Sequence, residues 1–147
     1  MNKTLTLMAV ILATLYFTSS SFALPTRIYT ELPNGTYGRY YPDSNAIRIS
    51  RKIPEDMIQH VIIHETAHWF DMEKKTPLRR MFWKRAFERE QYQPTEYCRN
   101  TKRHKVEECY AETLTRAVLY NLLPPARTTT HRIIKIDREV FLKLLNE

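Results

Sequence analysis

Residues 64–68 read His-Glu-Thr-Ala-His, inside an apolar run with helical spacing. No other feature constrains the chain as much. Two His four apart on a helix stand one above the other, so both imidazoles reach one ion. Glu65 projects to the side, within reach of a water on that ion. Zinc lowers the pKa of such a water to about 7, and a neighbouring carboxylate then takes its proton. These residue types at this spacing are what metal-assisted peptide hydrolysis requires. The spacing predicts a helix from Pro54 to about Glu73, with Glu55 and Asp56 beside its positive end. On its wheel Met57, Val61, His64, His68 and Asp71 share one side, and Ile63, Ala67 and Phe70 cover much of the rest. A helix this apolar is buried, and buried histidines need partners, which one metal supplies to both.

A catalytic zinc takes three protein ligands and keeps one position open. A third His six residues after His68 is excluded, because Lys74 stands there. The alternative is an acid on a later helix, expected from about His104 to Leu122 and offering Glu107, Glu108 and Glu112. His104, Glu108, Glu112, Thr115, Leu119 and Leu122 fall on one stripe whose lower half is apolar and core-facing. Two carboxylates there are costly unless paired. Glu108 on the metal and Glu112 accepting from a ligand His satisfy both.

The rest of the chain reads as strands between 26 and 50, around turns at Pro33-Asn34-Gly35 and Pro42 to Asn45, forming a small antiparallel sheet. Pro77 opens a helix to about Gln91, residues 92–103 form a polar loop, Arg127 to His131 a Thr-rich loop, and Asp137 to Leu145 a last helix. The expected class is α+β. There is no GxGxxG, phosphate loop or internal repeat, and no Ser-His-Asp or Cys-His arrangement has local support.

Residues 1–23 carry Lys3, an apolar stretch from Leu5 to Phe17 and a Ser21-Phe22-Ala23 cleavage site, which predict a signal peptide. Residues 24–147 are then one secreted or periplasmic domain, monomeric and free of the membrane once cleaved. The formal net charge is +7, but Lys and Arg are scattered through 74–105 over several helix faces, so no nucleic-acid stripe forms. Two cysteines in an exported chain predict one bridge, Cys98–Cys109. His60 and His131 have no motif around them and read as surface or packing residues.

His64 to Asp71, HETAHWFD, resembles the HExxHxxD stretch of the anthrax lethal factor peptidase domain and of the related Pro-Pro endopeptidases. Glu108-Cys109-Tyr110-Ala111-Glu112 resembles their EFFAE-type segment. The resemblance covers about half of residues 24–147. It implies a zincin-like fold, Glu108 as third zinc ligand, Glu112 behind a ligand His and Asp71 as a structural acceptor. It also implies that substrate adds as a strand along Tyr37 to Tyr41. In that family a Tyr seven residues ahead of the ligand Glu stabilises the oxyanion; Thr101 stands there in this chain. Tyr97, Tyr92 and His104 are the nearby donors, and Tyr97 is preferred.

The expectation is a small exported zinc endopeptidase acting on a peptide or protein substrate. His64, His68 and Glu108 bind Zn²⁺, and Glu65 is general base and then acid. The rivals are an exported non-catalytic binding protein, such as an inhibitor or adhesin, and a hydrolase of cell-wall peptides.

Overall fold

The computed structural model describes residues 23–147, so the expected leader, 1–23, lies outside it except for Ala23. Three strands form one sheet in the order β1-β3-β2: β1 is Thr26–Thr30, β2 Gly38–Tyr41 and β3 Ala46–Ser50. The sheet is mixed, which corrects the antiparallel expectation. β2 and β3 are an antiparallel pair, but β1 runs parallel to β3, with Thr26 opposite Ala46 and Thr30 opposite Ser50. The cause is the path of the chain. It reverses after β1, crosses to the far edge as β2, and reverses again at a 3-10 turn, Pro42–Ser44, so that β3 returns between them. Central β3 buries Ile47 and Ile49 completely and turns Arg48 outward, the alternation its sequence carries.

Five α-helices follow among the described residues: α1 Ile58–Trp69, α2 Pro77–Glu90, α3 Glu96–Asn100, α4 Lys105–Tyr120 and α5 Thr129–Leu145. α1 is shorter than the helix expected from Pro54 to Glu73. Its first turn is a 3-10 segment, Glu55–Met57, and its last is a π segment, Phe70–Lys74. α3 lies in the segment expected as a loop. It starts because Thr95 accepts from the Cys98 N–H at 3.2 Å. α5 starts at Thr129, well before the expected Asp137. The Thr128 hydroxyl caps His131 N–H at 3.1 Å, and Glu90, at the end of α2, accepts from Thr129 N–H at 2.8 Å and Thr130 N–H at 3.0 Å. A carboxylate 39 residues away in sequence thus turns a Thr-rich loop into a first helical turn.

α1 packs on β2, β3 and α4, while α5 packs on α4 and α2. The core between them holds Ala67, Trp69, Phe70, Tyr110, Leu114, Ile134 and Phe141. One network of buried charge ties these elements together. Asp137 pairs with Arg79 and accepts from the Tyr110 hydroxyl at 2.8 Å, and buried Lys75 reaches Asp71 at 2.8 Å. This network anchors the π segment that leaves α1 onto α4 and α5. No helix among the described residues is long and apolar enough to cross a membrane.

Candidate metal centre

α1 presents His60, His64 and His68 at successive four-residue steps, and α4 presents Glu108 and Glu112. Where the two helices meet, imidazoles and carboxylates alternate. His60 Nε2 and His64 Nδ1 each lie 3.3 Å from Glu112 Oε2. His64 Nε2 lies 3.2 Å from Glu108 Oε2, and His68 Nε2 lies 3.4 Å from the same oxygen. The two Nε2 atoms of His64 and His68 are 3.2 Å apart.

These last three atoms form a triangle with edges of 3.2, 3.2 and 3.4 Å. Tetrahedral zinc, with ligands at about 2.0–2.1 Å, has edges of about 3.3 Å between them. The donors, two imidazole nitrogens and one carboxylate oxygen, are also of the kind zinc accepts. The residues fit a zinc ion in dimension and in chemistry.

The electrostatics favour positive charge among these side chains. Burial opposes charge on His64, but hydrogen bonds to Glu108 and Glu112 and the charge of Glu65 outweigh it, raising its pKa to about 10. Burial likewise opposes ionisation of Glu108 and Glu112. Hydrogen bonds from His64 and His68 nevertheless hold Glu108 well below the usual carboxylate range, and those from His60 and His64 lower Glu112 to about 2. The imidazoles supply the positive charge that these carboxylates face, and a metal at Nε2 would take the place of a proton there.

Glu65 stands beside the cluster, nearly buried at 9 % exposure, and its Oε2 accepts from the Tyr40 backbone N–H at 2.8 Å. Ser50 N–H donates to the Tyr37 carbonyl at 2.8 Å, so Tyr37, Arg39 and Tyr41 face β3 while Gly38 and Tyr40 face the open edge. That edge lines a cleft of about 840 Å³ together with His64, Glu65, His68, Glu108 and Tyr97. Gly38 is required there by space: a Cβ on it would lie 2.4 Å from Val61 Cγ1 and 3.0 Å from Glu65 Cγ.

Tyr97, on α3, donates its hydroxyl to Glu108 Oε2 at 3.0 Å. Burial, the Glu108 charge and this hydrogen bond raise its pKa, so the phenol keeps its proton. The Cys98–Cys109 disulfide fixes this arrangement, because each cysteine directly follows one of the two residues. His104 also lines the cleft, whereas Tyr92 is not among its lining residues.

The structure therefore brings together His64, Glu65, His68, Glu108 and Tyr97. Asp71 pairs with Lys75, and His131 Nδ1 meets the Pro124 carbonyl at 2.8 Å. His60, read as a surface or packing residue rather than a ligand, shares Glu112 with His64. Its signal was present in the sequence: it continues the four-residue spacing of His64 and His68 backwards by one turn. The roles of Gly38 and of the Tyr40 N–H carried no such signal, because both depend on how β2 lies over α1. No family model, curated protein or solved structure matches this chain.

Proposed function

We propose that the protein is a zinc-dependent endopeptidase of zincin-like fold that works outside the cytoplasm, in secreted or periplasmic form. The observation that carries this reading is the triangle of His64 Nε2, His68 Nε2 and Glu108 Oε2, with the Glu65 carboxylate beside it. These three residues would hold the ion, which when bound supplies an acidified water and polarises a peptide carbonyl. Glu65 would take a proton from the attacking water and return it to the leaving amine. The Tyr40 N–H holds the carboxylate in place for this. Tyr97 is a protonated phenol at the rim of the triangle, and it donates to the carbonyl oxygen as negative charge grows there. An extended peptide pairs with the open edge of β2 at Gly38, which lays its backbone across the cleft.

The test is cleavage of a fluorescently labelled unfolded protein, such as reduced casein, by purified residues 24–147. Cleavage is expected from the wild type, lost with a chelator and restored by zinc. Glu65→Gln is expected to bind zinc and cleave nothing. A wild type that binds zinc and cleaves no peptide bond would instead favour an exported binding protein.

A further inference from the structure

We infer that His60 is a positioning residue for His64, acting through the Glu112 carboxylate; the inference rests on the reading of His64 as a zinc ligand. One set of protons satisfies every contact in this chain with His60 neutral. With His64 Nε2 turned to the Glu108 triangle, Nδ1 carries the hydrogen and donates to Glu112 Oε2 at 3.3 Å. His60 Nε2 lies at the same distance from the same oxygen and also donates. His60 Nδ1 is then an acceptor, and the Tyr120 hydroxyl stands 3.5 Å from it. In this set each ring nitrogen of His60 and His64 has one role, and none conflicts with metal binding at His64 Nε2.

Burial makes the second donor matter. The Glu112 side chain is 7 % exposed and that of His64 10 %, so solvent gives the carboxylate little help. A buried carboxylate with one donor is poorly satisfied, and the hydrogen bonds behind a metal ligand fix its ring orientation and basicity. The rings of His60 and His64 are also near parallel, at 21° and 6.3 Å between centroids. One turn of α1 thus presents both rings to one oxygen of α4.

The experiment is a competition titration of zinc against a chromogenic chelator, using metal-free residues 24–147. The proteins are wild type, His60→Ala, His60→Gln, Glu112→Ala and the His60→Ala/Glu112→Ala double variant. His60→Ala is expected to weaken zinc about 10-fold, at the lower end of what such supporting contacts contribute. His60→Gln is expected to recover most of this, because its amide nitrogen reaches the position of His Nε2. In the Glu112→Ala background the His60 change is expected to add nothing, an outcome that a general loss of packing would not give. His60→Ala binding zinc like the wild type would overturn the inference, as would an equal further loss without Glu112. Loss of one whole equivalent of metal would overturn it too, by making His60 a ligand. A wild type that takes no zinc would instead bring down the metal reading itself.

Discussion

The backbone N–H of Tyr40, in an edge strand, donates to the side chain of Glu65, in the helix beneath it, at 2.8 Å. One hydrogen bond therefore joins the strand proposed to hold substrate to the carboxylate proposed to move its proton. The joint depends on Gly38, two residues earlier, which lets β2 lie against Val61 and Glu65. Gly38→Ala places a methyl group inside both contacts. Overpacking of this kind costs about 1–3 kcal/mol, so a lower urea midpoint is expected. Activity is expected to fall further than stability, because the same shift moves Glu65. A Gly38→Ala protein with wild-type stability and turnover would contradict this geometry.

Tyr97→Phe removes the hydroxyl 3.0 Å from Glu108 and leaves the three proposed zinc ligands intact. Loss of one oxyanion donor typically lowers kcat by about 10²–10³-fold, and a drop of that order is expected with zinc content unchanged. Wild-type kcat in this variant would remove Tyr97 from the mechanism.

The Cys98–Cys109 bridge joins the residue after Tyr97 to the residue after Glu108. Cys98→Ala/Cys109→Ala is expected to lose about 2–4 kcal/mol of stability, as is usual for a native bridge. It is also expected to lose kcat in the manner of Tyr97→Phe, since α3 is no longer tied to α4. In the Tyr97→Phe background, removing the bridge should lower kcat little further. A full additional loss would show that the bridge acts elsewhere.

Glu90 gives a pH dependence outside the candidate metal centre. Burial works against its ionisation, but donors from Thr130, Arg89 and Thr129 outweigh this and lower its pKa from 4.5 to about 2. A depressed folded-state pKa stabilises above the unfolded value, and that stability is lost as pH falls through the folded one. The contribution is therefore complete above about 4.5 and fades toward about 2. Glu90→Gln should unfold at lower urea than wild type at pH 7, and the difference should shrink between pH 4.5 and 2. A difference that stays constant across that range would refute the capping role.

Much of the arrangement was legible because it follows helical phase. The four-residue spacing put His64 over His68, the wheel of the later helix put Glu108 and Glu112 on one core-facing stripe, and these residues do meet. Contacts made between distant segments were not legible. The parallel pairing of β1 with β3 depends on the path between them. The early start of α5 depends on Glu90, and α3 arises from a single Thr cap in a polar segment. His60 lay between these cases. Its phase was readable, but its partner Glu112 belongs to another helix, and only packing brings the two within 3.3 Å.

The most direct measurement is metal content by elemental analysis of purified residues 24–147 and of single Ala variants at His64, His68, Glu108 and Glu107. Glu108 lies within 3.4 Å of both histidines, whereas Glu107 is one residue off that stripe of α4. The expected result is one zinc per wild-type chain, little or none in the His64, His68 and Glu108 variants, and one in Glu107→Ala. No zinc in the wild type, or stoichiometric zinc retained without His64 and without His68, would contradict the metal centre.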